Sequence, residues 1–574
     1  MPIFSVREFS VMTKKKEAIV VGLGASGGII AAELAKAGVK VTALEKGPHY
    51  PEDHFRDKQD EIRYYTRGAL VPHLSTNPIT WRARDGQTAR LLPWASGPLG
   101  TTEPLHLPPS IGTGGGTLHW GGAVWRHREA DFHMRSALIK RYGAAAIPEG
   151  TSIVDWPFGY DDLEPYYDRV EWELGVSGQA GNINGELVAG GNPFEAPRKR
   201  GYPMPPLRSA AANSRFVEAT RRLGLHPFPQ AAAIASEDYK SLKGCVYCGF
   251  CHGYPCHVNA KQTSHVTSVP EGLASGNLDI IPFARVIQVN RDGGRVKGVS
   301  YIDAVGKVHE IEADIVVLAT YSLENTRLLL QSGINANGQV GKHFMTHCFG
   351  WSTGVVPEFT NSFMGPLVGA HVVDDYTSEL IPDNDLGVVW GSPITSFPGD
   401  TQPIEASHNT PPGMRKWGSE YKEWFASSYR RIFSMHTQTS SLPYAGGYCD
   451  LDPNIKDPFG QPALRITHDW MPHDINSMKF FTRVKQAIAK EMGMTEFWEE
   501  PNPPPYHLST HEVGTHRMGL DPETSVVDPY GESHECEKLF AVGGGQFPTL
   551  PSYNPTMTIQ ALAFLTADRI TGKI

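Results

Sequence analysis

The chain has 574 residues, of which 40% are hydrophobic and 20% charged, a composition ordinary for globular proteins and long enough for more than one core. The balance of 52 Lys and Arg against 61 Asp and Glu gives a formal net charge of −9. With no Lys/Arg-rich patch, this charge argues against nucleic-acid binding. No apolar run reaches about 18 residues, which argues against a membrane-spanning helix.

Residues 1–17 contain the run Lys14–Lys16 but lack the apolar stretch and small-residue cleavage site of a secretory signal. We therefore expect no signal of that type here. Export of the protein would then depend on another chain.

The next segment predicts a complete β-α-β unit. Residues 17–22 are typical of a short buried strand, residues 29–37 of an amphipathic helix, and residues 39–44 of a second strand that ends at Glu45. A chance glycine turn would not combine all of these features.

The glycines between the first strand and the helix follow a dinucleotide-binding pattern. Gly22 would make the tight turn, Gly24 would let the backbone approach a pyrophosphate, and Gly27 would let the helix pack close to the strand. The phosphates would then meet the helix N-terminus. Glu45 lies where a carboxylate can bond a ribose hydroxyl.

A second glycine-rich stretch, residues 112–123, follows a Pro-rich and irregular segment of residues 50–110. It includes Gly115, Gly116 and His119. Such runs permit close approach of the backbone to a flat or anionic ligand. From the sequence alone, a structural hinge is the alternative.

The middle of the chain alternates predicted helices and strands. A helix begins near Asp161, a possible cap. Further along we predict strands at 279–289, 296–302, 307–312 and 315–319, and helices at 323–331 and 475–492.

Four cysteines, Cys245, Cys248, Cys251 and Cys256, lie within twelve residues. The C-x2-C-x2-C run predicts an iron–sulfur cluster. The fourth ligand is in doubt because the last gap is one residue longer than in bacterial ferredoxins and Pro255 precedes Cys256, which favours a three-iron over a four-iron cluster. Structural zinc, and a disulfide or redox C-x-x-C pair, remain alternatives.

The last seventy residues or so carry several motifs. A segment that contains His511 and His516 precedes a predicted strand and a glycine run, 539–548. Asn554 then opens a helix to about Ile570, and Pro555 fits its first turn.

Taken together, these motifs resemble those of the glucose-methanol-choline (GMC) family of FAD oxidoreductases, over almost the whole chain. The resemblance includes residues 319–330 and 338–347. It implies an α/β fold with two parts: a Rossmann-like FAD-binding domain, and an α+β substrate domain with a mostly antiparallel sheet. The implied boundaries are 15–155, 240–345 and 505–574 for FAD binding and 156–239 and 346–504 for the substrate, with the cysteines at 245–256.

The resemblance also implies the site residues. It assigns catalysis to His511 and Asn554, and imidazole has the intrinsic pKa of a base for a hydroxyl proton near neutral pH. His516 is the runner-up as base. His119 lies in a Leu-His-Trp run similar to the covalent flavin site of pyranose oxidases, so covalent and noncovalent FAD both stay open. The implied FAD contacts are Gly22, Gly24, Gly27, Glu45, Gly115, Gly116, His119, Val286, Gly544, Thr556 and Met557.

Within the family, the cysteine run resembles that of the iron–sulfur flavoprotein subunits of gluconate and fructose dehydrogenases. This implies oxidation of a sugar, sugar acid or polyol, with electrons passing through the cluster to a cytochrome or quinone. It also implies a small signal-bearing subunit, a c-type cytochrome subunit, and a location at the periplasmic face of the inner membrane, reached only through a partner. A cytoplasmic enzyme is the alternative location.

Other functions remain open. An oxygen-using sugar or alcohol oxidase would need no cluster, and a glucoside 3-dehydrogenase would look much the same. A redox relay subunit is disfavoured by His511 and Asn554, and a zinc-stabilised module without flavin by the intact β-α-β unit. A nicotinamide enzyme is conceivable, but the single fingerprint fits FAD.

Overall fold

The computed structural model describes residues 16–56, 59–64, 70, 78–86, 88–91, 110–397, 402–407, 409–499, 502 and 509–574. Most of the Pro-rich segment predicted to be irregular, and residues 1–15, lie outside the described residues.

The described strands, in chain order, are β1 Lys16–Val21, β2 Val41–Glu45, β3 Ile79–Arg82, β4 Arg90–Leu91, β5 Asn182–Ile183, β6 Glu186–Leu187, β7 Phe228–Pro229, β8 Leu278–Pro282, β9 Arg285–Asp292, β10 Arg295–Ile302, β11 Val308–Leu318, β12 Cys348–Val355, β13 His371–Val373, β14 Ile394–Phe397, β15 Ile432–Thr439, β16 Tyr448–Lys456, β17 Pro462–Thr467, β18 Glu496–Glu499 and β19 Leu539–Ala541.

The described α-helices are α1 Gly27–Lys36, α2 Glu61–Tyr64, α3 Glu129–Phe132, α4 Met134–Tyr142, α5 Tyr160–Leu174, α6 Ala212–Arg222, α7 Ser268–Ala274, α8 Ser322–Gln331, α9 Pro403–Ala406, α10 Ser419–Ser428, α11 Pro472–Met492 and α12 Thr556–Thr571.

The first sheet has the strand order β8-β2-β1-β11-β10-β9, with β19 also paired to β11. β8, β2, β1, β11 and β19 pair in parallel, whereas β10 is antiparallel to both β9 and β11. β1 suits a central position because residues 18–21 are apolar and buried. The predicted β-α-β unit is confirmed as β1-α1-β2, and α1 packs against α7 and α12.

β11 belongs to both parts of this sheet. Residues 308–312 pair antiparallel with β10, and residues 313–318 pair in parallel with β1. The far side of its C-terminal end pairs with β19. The antiparallel arm β9-β10 is therefore attached to the parallel core through a single strand.

The second sheet, β18-β12-β15-β14-β13-β7, is antiparallel throughout. β15 is buried at every position. α11 and α6 pack on it, and Phe216, Phe433 and Phe481 share one apolar core between them. A smaller sheet has the order β16-β17-β3-β4. The predicted α/β class, with a Rossmann-like unit and an α+β part, is confirmed, while the domain boundaries stay a prediction.

Three element predictions need correction. The predicted strand 279–289 is two strands, because the chain turns at Phe283, whose φ is +55°. The predicted strands 307–312 and 315–319 are one strand, β11. Asp161 is not the cap of α5: the carboxylate of Asp162 accepts a hydrogen bond from Gly159 N–H at 2.8 Å instead. Within the part of the chain that the structure describes, no helix is long and apolar enough to cross a bilayer.

Candidate active site

The loop between β1 and α1 is packed tightly on one side and bare on the other. A Cβ atom on Gly27 would lie 1.9 Å from the carbonyl oxygen of Gly22, so only glycine lets α1 begin this close to the strand. On Gly24, a Cβ atom would meet only the Cα atom of Gly115, at 3.9 Å. The backbone of Gly24 therefore presents an open surface to the second glycine loop.

The second glycine loop faces the first across this surface. Gly114 N–H donates to the carbonyl oxygen of Leu23 at 3.1 Å, and Gly115–Leu118 form a short 3-10 turn. A Cβ atom on Gly116 would have no heavy atom within 4 Å. The structure thus brings five predicted glycines together, here called the glycine cradle: Gly22, Gly24, Gly27, Gly115 and Gly116. Of these, Gly24 and Gly116 present open backbone.

Glu45, the last residue of β2, ties the edges of the glycine cradle together. Its Oε2 accepts a hydrogen bond from Leu23 N–H at 3.1 Å, and its Oε1 accepts from Gly47 and Gly112 N–H at 3.0 and 3.2 Å. Since Oε2 keeps a second lone pair, a sugar hydroxyl can still donate to it. The predicted ribose partner therefore lies beside the cradle.

Val286 lies near this edge through the backbone. Ala284 N–H donates to the carbonyl oxygen of Glu45 at 2.9 Å, and Val286 follows two residues later in β9, paired with Tyr301. Its side chain is buried in the core of the first sheet. The side chain of Val286 is thus committed to packing.

Gly544 and the start of α12 complete the predicted FAD contacts. Gly544 begins a 3-10 turn after β19, and its carbonyl oxygen accepts from Gly514 N–H at 3.1 Å. Thr556 and Met557 begin α12, which packs against α1 and α5. The first-turn N–H groups of α12 have no partners within the helix and suit an electron-rich ligand.

His511 and Asn554, the predicted catalytic pair, are in contact. The Nδ2 atom of Asn554 lies 3.3 Å from Nε2 of His511. Asn554 Oδ1 accepts hydrogen bonds from Trp125 Nε1 and from Gln438 Nε2, both at 3.0 Å. With two donors on its oxygen, the amide can only turn its NH2 group toward His511.

A second histidine, His347, contacts this pair. Nδ1 of His347 lies 2.8 Å from Nδ1 of His511, and Nε2 of His347 lies 2.7 Å from the carbonyl oxygen of Pro551. Phe349 packs against the His511 ring, with ring centroids 5.4 Å apart. The His511 ring is thus held on both of its nitrogens.

Burial keeps this group of histidines neutral. It lowers the pKa of His511 well below 6.5, and the nearby rings of His347, His436 and His252 add to the shift. Burial also lowers the pKa of His347 to about 4 and that of His436 to about 3. At neutral pH His511 is therefore an unprotonated imidazole, as a general base requires.

His516, the runner-up base, packs against the backbone of a neighbouring turn. It is fully buried, and its N–H donates to the carbonyl oxygen of Gly545 at 2.9 Å. A Cβ atom on Gly545 would lie 1.8 Å from the His516 ring. His516 therefore supports the turn at 543–546.

His119 links the glycine cradle to the cysteine segment. Its carbonyl oxygen accepts from Gly253 N–H at 2.7 Å. Next to it, the ammonium of Lys261 donates to the carbonyl oxygens of Trp120, Cys251 and Tyr254, at 2.9, 2.7 and 2.7 Å. The buried His119 side chain is consistent with a flavin contact, and covalent attachment stays a prediction.

The four clustered cysteines lie on a loop against an apolar core that includes Ile234. Backbone N–H groups of Tyr247 and Ala260 donate to the Sγ atoms of Cys245 and Cys256, at 3.4 and 3.2 Å. Burial, with the neighbouring thiols of Cys256 and Cys248, raises the pKa of Cys245 to about 12. The Cys248 and Cys256 thiols therefore lie near Cys245, which is shielded from water.

All seven cysteines of the chain are free thiols. Among the residues that the structure describes, no group of three or more His, Cys, Asp or Glu is arranged to hold a single metal ion. The disulfide alternative is therefore wrong for this structure. The iron–sulfur ligands Cys245, Cys248, Cys251 and Cys256 stay a prediction.

The sequence analysis did not indicate three residues that contact His511 or Asn554. His347 ends the 338–347 segment of the family resemblance, but nothing in its spacing indicated a contact with His511. Trp125 and Gln438 carry no sequence signal for their bonds to Asn554, because those contacts span 429 and 116 residues.

Comparison with known proteins gives consistent matches. Two family models described as GMC oxidoreductase match residues 154–349 and 443–563. The chain is 33% identical to the gluconate 2-dehydrogenase flavoprotein of Pantoea cypripedii, covering 97% of this chain and 94% of that protein. It is 25% identical to the fructose dehydrogenase large subunit of Gluconobacter japonicus, covering 98% and 99%.

Among solved structures, formate oxidase from Aspergillus oryzae matches with a TM-score of 0.64 at 16% identity, covering 98% of this chain and 99% of that chain. At this identity the match concerns the fold.

Proposed function

The chain belongs to the GMC oxidoreductase family, and on this basis we propose that it is an FAD-dependent dehydrogenase of a sugar, sugar acid or polyol. The reaction oxidises a CH–OH group, and the acceptor is not oxygen. Similarity to the gluconate 2-dehydrogenase flavoprotein and to the fructose dehydrogenase large subunit supports this substrate class.

The observation that carries the proposal is the pairing of His511 with Asn554. Their polar atoms lie 3.3 Å apart, so one substrate oxygen can accept from Asn554 Nδ2 and give its proton to His511 Nε2. Holding the hydroxyl between a donor and a base both orients it and removes its proton as the carbonyl forms. Bound FAD supplies the acceptor for the hydride that leaves carbon.

The glycine cradle fits FAD. The open space at the Cβ positions of Gly24 and Gly116 leaves room for a pyrophosphate against backbone, with its charge toward the N-terminus of α1. Glu45 Oε2 can take a ribose hydroxyl. At the other side, the N-terminus of α12 and the Gly544 turn would border the ring system.

We further propose that Cys245, Cys248, Cys251 and Cys256 hold an iron–sulfur cluster, with three irons favoured over four, through which electrons reach a cytochrome or quinone. N–H donors to two of the sulfurs and the shielded setting support this, because such bonds and burial tune a cluster. So does the hydrogen bond from Gly253 N–H in this segment to the carbonyl oxygen of His119, and Lys261 donates to the carbonyl oxygens of both Trp120 and Cys251.

The acceptor decides between this proposal and an oxygen-using oxidase. Protein purified without oxygen would be assayed for flavin, iron and acid-labile sulfide, then given sugars, sugar acids and polyols with either oxygen or an artificial electron acceptor. We expect a paramagnetic iron–sulfur signal and turnover mainly with the artificial acceptor. Iron-free protein that makes peroxide at a comparable rate would establish the oxidase instead.

Covalent attachment of FAD through His119 is also proposed, and acid precipitation tests it. Flavin that remains on the peptide containing His119, seen by mass spectrometry, is the expected result. Complete release of flavin by acid would show noncovalent binding.

Partner subunits and location complete the proposal. The fructose dehydrogenase relative is a large subunit, and we propose that this chain likewise assembles with a small signal-bearing subunit and a c-type cytochrome, at the periplasmic face of the inner membrane. Affinity purification from the native cell, with fractionation, tests both. Recovery of the chain alone in the cytoplasm would overturn them.

A further inference from the structure

The hydrogen-bond chain behind His511 ends in a group that can only accept. The carbonyl oxygen of Pro551 has no proton to give, so Nε2 of His347, 2.7 Å away, must be the donor. Because burial lowers the pKa of His347 to about 4, its ring carries one proton at neutral pH. That proton is on Nε2, and Nδ1 of His347 is therefore a bare acceptor.

The same argument determines which nitrogen of His511 carries the proton. Its Nδ1 lies 2.8 Å from the bare Nδ1 of His347, so it must carry the proton and donate it. A neutral imidazole has one such proton. The opposite nitrogen, Nε2 of His511, is left with a free lone pair.

The other side of the ring gives the same answer independently. Trp125 and Gln438 both donate to Asn554 Oδ1, which turns the Asn554 NH2 group toward His511 Nε2. A donor at that position fits a bare nitrogen and would repel a protonated one. Two unconnected sets of contacts thus select one tautomer.

We propose that His347 is a positioning residue that fixes the tautomer of His511, so that Nε2 meets the substrate hydroxyl unprotonated. The proposal rests on the proposed role of His511 as base. When Nε2 takes the hydroxyl proton, the O–H bond breaks and an N–H bond forms. Nδ1–H stays donated to His347. Because the carbonyl of Pro551 cannot accept a proton, the chain does not conduct it onward, and the proton leaves through Nε2.

The chain offers two informative variants. His347→Leu removes the acceptor, whereas His347→Gln can accept from His511 through Oε1 and donate to Pro551 through Nε2. We expect kcat/KM to fall about 100-fold or more in His347→Leu, within the usual range of general-base effects, and to recover to within about tenfold of the parent in His347→Gln. His473→Gln, a change at another buried histidine, is the matched control and should leave kcat/KM unchanged.

The pH profile of kcat/KM distinguishes the fixing of the His511 tautomer from a purely structural role of His347. The titratable groups that face His511 are His347, His436 and His252. Because the pKa of His347 is about 4, its charge lowers the pKa of His511 only at low pH, and above that pH its ring acts mainly through the Nδ1 lone pair. Losing this acceptor disfavours the imidazolium, so the acid limb of kcat/KM should move to lower pH in His347→Leu. A purely structural residue would lower flavin content or thermal stability and leave the limb in place.

A spectroscopic readout is independent of turnover. With ¹⁵N-labelled histidine, and with His511→Asn to assign the signals, the unliganded parent should show a protonated Nδ1 and a bare Nε2. His347→Leu should show a mixture of the two tautomers, because the Asn554 donor then acts on the ring alone. The proposal fails if the tautomer is unchanged in His347→Leu or if the parent shows Nε2–H. Full activity of His511→Asn would instead overturn the proposed base itself, which keeps the two failures distinct.

Discussion

At Asn554, the orientation of the side-chain amide determines whether a hydrogen-bond donor or an acceptor faces His511. Two donors from different parts of the fold, Trp125 and Gln438, occupy its oxygen. The nitrogen is then the group that faces His511 and, in the proposed reaction, the substrate oxygen. The residue type alone would have left the amide free to present either end.

Replacing Asn554 by Asp tests this polarity. The new carboxylate would face His511 and raise the pKa of its imidazole, so the base stays protonated to higher pH. We expect kcat/KM near pH 7 to fall about 10- to 100-fold, with the acid limb moved to higher pH and activity partly regained at alkaline pH.

Asn554→Ala is the neutral control for that change. It removes the donor without adding a charge, so its activity should fall while the acid limb stays near that of the parent. An Asn554→Asp profile with an unmoved limb would show that the side chain does not face His511.

At the scale of elements, one half of the glycine cradle could be predicted from the sequence and the other half could not. Residues 17–45 form their β-α-β unit through local contacts, so spacing was enough to predict it. That Gly115 lies against Gly24 depends on a loop ninety residues away and on the bonds that Glu45 makes to both loops. The structure shows that Glu45 ties the two loops together, and its ribose contact stays a prediction.

Gly24→Ala separates cofactor binding from folding. Its Cβ atom would enter the open cradle and touch only Gly115, so the apoprotein should melt as the parent does. FAD affinity should fall at least about tenfold, about 1.4 kcal/mol, in fluorescence titrations.

Two further substitutions by alanine serve as controls for Gly24→Ala. Gly27→Ala, with a Cβ atom 1.9 Å from Gly22 O, should fail to fold, and Gly294→Ala, with its nearest atom 3.8 Å away, should be silent. Normal FAD affinity in Gly24→Ala would place the pyrophosphate elsewhere.

At the scale of the whole molecule, the sequence predicted the two-part α/β fold, and it singled out His511 and Asn554, which the structure brings into contact. It did not predict the shell around that pair, because the contact between His347 and His511 spans 164 residues and depends on how the two sheets meet. It also missed the turn at Phe283 that divides β8 from β9, where a positive φ in a bulky residue has no sequence signal.

Buried titratable groups should make the protein sensitive to acid. Burial lowers the pKa of one set of histidines to about 3 or 4: His127, His265, His343, His347, His371, His436, His473 and His516. Unfolded histidines titrate near 6.5, so below that pH the unfolded chain binds more protons than the folded protein. The free energy of unfolding therefore decreases as the pH is lowered.

A smaller set of buried carboxylates acts in the opposite direction. Burial raises the pKa of Asp131 and Asp474 to about 7 and that of Asp374 to about 6, which adds stability as pH falls toward 4. Because the histidines outnumber them, we expect the melting temperature to drop steadily from pH 6.5 to 4.5. A maximum in the melting temperature near pH 5 would contradict this balance.

The position of β19 has a consequence for how the protein is made. β11 needs β1 on one side and β19 on the other, and α12, which packs on α1, follows only at Thr556–Thr571. During synthesis, the N-terminal strand and helix must therefore wait for residues more than five hundred positions later. A nascent chain interrupted before β19 would have neither a closed nucleotide site nor Asn554, so an incomplete product cannot become a partly active enzyme.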